Sequence, residues 1–164
     1  MITSRYEDMD VIGVRTAPGN VASRINIPIQ MMFDITDVFG FVHAGDLLYP
    51  TKIESSLKPL EQNPNVMVVV SDRDGPDGMR EYLSSYSADR MVARMEYDLS
   101  MLVRKAAFAR MQAFFDPTMD KCEHYELLIR ISRFGMIYHV PEALHQVTEP
   151  EQDTERWEAL SRHG

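Results

Sequence analysis

Four apolar runs of about five residues, each bounded by turn-forming or polar residues, constrain this chain more than any other feature: Val38–Val42, Val66–Val70, Leu99–Val103 and Met136–Val140. Runs that short, rich in β-branched and aromatic side chains, read as strands buried on both faces. Asp10–Val14 is a fifth candidate, followed by a turn at Pro18-Gly19-Asn20. Helical patterns fill the intervals. Val21, Ala22, Ile25, Ile29, Met32 and Phe33 share one helix face, which Pro28 is expected to kink or delay. Thr51 and Glu54 stand at capping-box spacing, opening a helix with Ile53, Leu57 and Leu60 on one face. Residues 73–78 read as a polar loop and 104–114 as a helix. A further helix spans 123–134, with Leu127, Leu128 and Ile131 inward and Gly135 as a left-handed cap. Pro141 is expected to stop the last strand. Strands alternating with helices predict an α/β layered fold with a largely parallel or mixed sheet flanked by helices.

The 164 residues are enough for one domain with its own core. A formal charge of −8 argues against a nucleic-acid surface, which needs clustered cations, and against docking on an anionic membrane. A few local cations or a helix N-terminus can still hold phosphate. Cys122 is the single cysteine, so no intrachain disulfide forms. The opening residues carry acids where a signal peptide has a basic region, and no apolar stretch reaches the length of a membrane span. The expected compartment is the cytoplasm. Twelve methionines point to an adaptable core or interface.

Three segments in order, Phe41-Val42-His43-Ala44-Gly45-Asp46-Leu47-Leu48-Tyr49-Pro50, Val68-Val69-Val70-Ser71-Asp72 and Phe115-Asp116-Pro117-Thr118-Met119-Asp120-Lys121-Cys122-Glu123-His124 with its Leu-rich continuation to Arg130, carry a collective signal. They resemble the family 2 glycosyltransferases of the GT-A fold. Weaker agreement at residues 19–26 and at Val140-Pro141-Glu142-Ala143-Leu144 extends the resemblance over roughly residues 10–145. It implies one GT-A-like domain over residues 1–148 without the family's usual first strand–helix–strand unit, and an acidic helical tail over 149–164 with Trp157 as its apolar anchor. It implies sugar transfer from a nucleotide sugar to an acceptor, with Mn²⁺ or Mg²⁺ as the implied metal. A non-catalytic subunit reusing the fold is the alternative. A sheet short of its first unit is expected to associate, as a homo-oligomer or with a protein partner, through the strand at residues 10–15 or that at Val38–Val42.

The departures fall on the positions that carry chemistry. His43 stands at the first Asp of the family's Asp-x-Asp-Asp stretch, Gly45 at its metal-binding Asp, and Asp46 alone is kept. Asp46 and His43 are thus the reduced metal-ligand set, and reduced or absent metal-dependent activity is the expectation. Two potential ligands three residues apart are weak evidence for a site, and His43 reads more simply as a strand-end histidine with an ordinary hydrogen bond. Glu123 is retained at the family's Glu-Asp pair, while His124 takes the place of the catalytic base. Histidine is a competent base near neutral pH, or here simply a polar residue in the first turn of a helix. Asn26 and Asp72 fall at substrate-binding positions, and Asn26 can as readily pin a turn. Arg130 reads as one half of a structural ion pair.

Overall fold

The computed structural model describes residues 13–82, 100–119 and 122–148. In chain order the elements are α1 Val21–Met32, β1 Val38–Gly40, β2 Leu47–Leu48, α2 Lys52–Gln62, β3 Val66–Asp74, β4 Arg80–Glu81, β5 Leu102–Arg104, α3 Lys105–Met111, α4 Glu123–Ser132 and β6 Met136–Gln146. The strands form one mixed sheet in the order β1-β5-β3-β6-β2, with β4 as a hairpin partner of β3. Only β3 and β6 run parallel, with Val68 beside Ile137 and Val70 beside His139. β5 lies antiparallel to both neighbours, so Val103 faces Phe39 on one side and Val68 on the other.

Helices cover both faces of the sheet. Val68, Val70 and Val103 pack with Ala22 and Ile29 of α1, Phe108 of α3 and Leu127, Leu128 and Ile131 of α4. Val69, Leu102, Val140 and Leu144 turn the other way and meet Leu60 of α2. The inward face expected of the 123–134 helix is therefore the one that packs.

Several local expectations are corrected. The helix at residue 21 is neither delayed nor ended by Pro28: Asn20 caps it through Ser23 N–H at 2.9 Å, and it runs on to Met32. Thr51 makes no side-chain cap, because its backbone is already helical. Glu54 instead pairs with Lys58 one turn on, and the turn before α2 is closed by Lys52 N–H on the Tyr49 carbonyl. The buried face of α2 is Lys52, Ser56, Pro59 and Leu60, and Ile53 is 50% exposed. β3 continues to Asp74, into what read as loop. β6 runs through Pro141, because the register shifts there: Val140 lies beside Ser71 and the next paired residue, Ala143, beside Asp72. A register shift is where a sheet tolerates a residue without an N–H. Gly135 is not left-handed; its N–H donates to Ile131, and a Cβ there would lie 2.9 Å from the Met67 Cβ. Close approach of α4's end to β3, rather than backbone conformation, requires glycine at this position. The left-handed residues beside helices are Gln112 after α3 and Cys122 before α4.

Residues 13–20 contain no strand. The remainder of the expected strand at 10–15, together with Leu99 and the 149–164 tail, lies outside the described residues.

Candidate functional site

The chain leaves β1 along Phe41, Val42 and His43, and the N-terminal turn of α4 lies against it. His124, the second residue of α4, is 2% exposed. Its ring is boxed edge-on by Phe41 and Phe115, with centroids at 5.5 and 5.0 Å, and the His43 ring stands 6.2 Å away. Two histidines that read separately in sequence are thereby brought together. The two phenylalanines that enclose one of them belong to the motifs that carried the resemblance.

Glu123 completes the cluster. Its Oε1 lies 3.3 Å from His124 Nδ1, an ion-pair separation. By strict geometry neither ring nitrogen of His124 has a hydrogen-bond partner among the described residues. Burial pushes the Glu123 carboxyl up, but contact with His124, that ring's charge, the residue's own main-chain N–H and the charge of His43 outweigh it. The carboxyl ends below its ordinary value.

The other candidates are placed elsewhere. Asn26 has its amide on the main chain of Phe115, accepting from the N–H at 3.0 Å and donating to the carbonyl at 2.8 Å. It pins the loop carrying Phe115 to α1, and so holds one wall of the His124 box. Asp72 is buried in β3 with Oδ1 2.8 Å from His139 Nε2. Asp46 turns its carboxylate to Thr148, accepting from the N–H at 3.1 Å and the hydroxyl at 3.3 Å. Gly45 has φ +102°, and a Cβ there would stand 3.1 Å from Thr148 Oγ1. The turn that offers Asp46 to Thr148 thus requires glycine where the resemblance puts a metal-binding Asp. Among the described residues no three acidic, histidine or cysteine side chains come together as a metal set.

Arg130 behaves as expected, forking onto Glu126 at 2.5 and 2.7 Å and donating to the Phe114 carbonyl. Sequence reasoning missed His139 and Thr148, the partners of Asp72 and Asp46. Both are ordinary residues whose roles exist only once β6 lies between β3 and β2, placing His139 beside Asp72 and Thr148 beside Asp46.

A cavity of 460 Å³ opens between α1 and β1 and ends at His43 and His124. Six consecutive residues, Val38 to His43, line it. No helix among the described residues is long and apolar enough to cross a membrane.

No family model matches the chain, and no curated protein matches it in sequence. Solved structures do match in fold. TarS 1-349 of S. aureus in complex with UDP-GlcNAc aligns over 85% of this chain and 42% of its own, at 12% identity and TM-score 0.67. The same fragment in complex with UDP aligns over 90% and 45%, at 12% identity and TM-score 0.68. S. aureus TarS itself aligns over 90% and 27%, at 13% identity and TM-score 0.66. The chain spans less than half the length of these neighbours. At such identity the likeness is one of architecture: this is a mixed α/β, GT-A-like fold.

Proposed function

We propose that this chain is a glycosyltransferase-type domain in which His124 takes the proton of an acceptor hydroxyl during sugar transfer from a nucleotide sugar. The observation that carries the reading is the His43–His124–Glu123 cluster at the junction of β1 and α4. An imidazole with no directed hydrogen bond, in a nearly dry site beside a carboxylate, is equipped to accept a proton and to hold the resulting charge. Glu123 stabilises the imidazolium, and Phe41 and Phe115 keep water away from it. The fold neighbours solved with UDP-GlcNAc and UDP support the donor class. In this reading residues 43–46 contribute a turn and a histidine rather than a bound cation, and the diphosphate leaves without a metal held there.

A second reading, a non-catalytic module reusing the fold, is favoured by one specific observation: both ring nitrogens of His124 are inaccessible as the site stands. Calorimetric titration with UDP-GlcNAc, with and without Mn²⁺, and turnover of the His124→Ala variant separate the two. The catalytic reading expects weak, Mn²⁺-indifferent donor binding and a fall in turnover of about 10²–10⁴-fold in the variant. Turnover unchanged by the substitution, with the fold intact, removes His124 from the mechanism. The second reading expects neither donor binding nor turnover of a nucleotide sugar by the wild type.

A further inference from the structure

We infer, taking His124 as the base proposed above, that Asn26 is its positioning residue: the Asn26 amide holds the main chain of Phe115, and the Phe115 ring keeps the imidazole enclosed. Phe115 lies in the loop between α3 and α4, outside any helix or strand ladder. Asn26 takes the place of a ladder partner. Its carbonyl oxygen accepts from Phe115 N–H at 3.0 Å, and its NH₂ donates to the Phe115 carbonyl at 2.8 Å. A carboxamide presents a donor and an acceptor side by side on one planar group, as a peptide unit does.

The clamp is anchored at both ends. On the α1 side, Ala22 and Ile29 are buried against the sheet, so the helix that carries Asn26 is fixed in the core. On the loop side the turn closes on itself. Asp116 Oδ1 accepts from the N–H and the hydroxyl of Thr118 at 2.8 and 2.7 Å, and the Asp116 carbonyl accepts from Met119 N–H at 3.1 Å. Asn20 adds a second tether from α1, donating to the Pro117 carbonyl at 2.7 Å.

Burial alone does not set this geometry. Phe115 is 2% exposed, and its ring meets Phe41 and Phe108 as well as His124, at 5.2, 6.5 and 5.0 Å between centroids. Apolar contact is non-directional and does not by itself select one orientation of that ring. The two bonds from Asn26 select the one that closes on His124. Without the amide, the N–H and C=O of Phe115 need another partner, and water is the one at hand. Water admitted there enters the wall of the His124 box.

Chemical access to the imidazole is the test. Diethylpyrocarbonate acylates accessible, unprotonated histidine, and mass spectrometry of the peptides assigns each adduct. His43, which is exposed, serves as the internal reference. In the wild type His43 is expected to react fast and His124 slowly. Asn26→Ala is expected to raise the His124 rate about tenfold or more, the effect of one or two lost hydrogen bonds on a local opening, with the His43 rate little changed. Asn26→Asp keeps the acceptor and loses the donor, so its rate is expected to fall between; it also carries the test if the alanine variant does not fold. Gly135→Ala, destabilised just past the far end of α4, is the control and is expected to leave His124 slow. The His124 ring-proton shifts, displaced in the wild type by the ring currents of Phe41 and Phe115, are expected to move toward those of free imidazole when the clamp is lost. Three results overturn the proposal: wild-type His124 reacting as fast as His43, His124 reacting alike with and without the Asn26 amide, or Gly135→Ala accelerating it as much. None of these measurements needs turnover, so failure here is distinct from failure of His124→Ala to lower sugar transfer.

Discussion

Glu123 shows how one side chain is set by what folding places around it. In the unfolded chain it titrates as an ordinary carboxyl, near pH 4.3. In the fold its pKa is lowered, with burial opposing and the two histidines prevailing. A carboxyl whose folded value is depressed contributes stability that is present above its unfolded pKa and is lost as pH falls through the folded one. Urea unfolding followed from about pH 3 to pH 7 should therefore show stability falling on the acid side. Glu123→Gln should lower stability near neutrality and flatten that acid slope. An unchanged slope in the variant would assign the acid sensitivity to other carboxyls. His124 could be singled out from the sequence because it stands where a base is expected. Its packing between Phe41 and Phe115 could not be, because those rings reach it from loops far apart in the chain.

At the scale of elements, two glycines carry constraints of different physical kinds. Gly135 is needed for space: an added Cβ meets both Cβ and Cγ of Met67 on β3. Gly135→Ala should cost about 1–3 kcal/mol, the usual penalty of overpacking. Met67→Ala on top of it should recover part of that loss, and a double-mutant cycle by chemical denaturation measures the coupling. Gly45 is needed for conformation, since φ +102° is a region that side chains avoid. Gly45→Asp, which restores the carboxylate of the resemblance, should therefore cost about 1–3 kcal/mol of stability. It should confer no Mn²⁺ affinity, and calorimetry on the folded variant checks this. Strong Mn²⁺ binding there would show that the turn can be remodelled into a metal site. Helix starts were the weaker part of the sequence reading. Thr51 and Glu54 match a capping box in spacing, but the turn that precedes them leaves Thr51 helical and Glu54 free to pair with Lys58.

Over the whole molecule, the sheet divides into a closed and an open part. β3 is flanked by β5 and β6, and helices cover it on both faces. Among the described residues β1 has a strand neighbour on one side only, and an apolar cavity lies beside it. An unpaired apolar edge invites a further strand.

The sequence by itself determined the class of fold and the rough position of most elements. Short β-branched runs between helical patterns have few other ways to bury themselves. It placed Val38, Val66, Leu102 and Met136 in strands, and it brought Glu123 and His124 forward as the residues to examine. What tertiary structure alone decided was adjacency. That β5 runs antiparallel between β1 and β3, that β6 passes through Pro141, that Asp46 spends its carboxylate on Thr148 and that His43 comes to stand beside His124 all depend on contacts across many residues of chain. Local propensity carries no record of them, because the free energy of such contacts exists only after the sheet has brought the segments together.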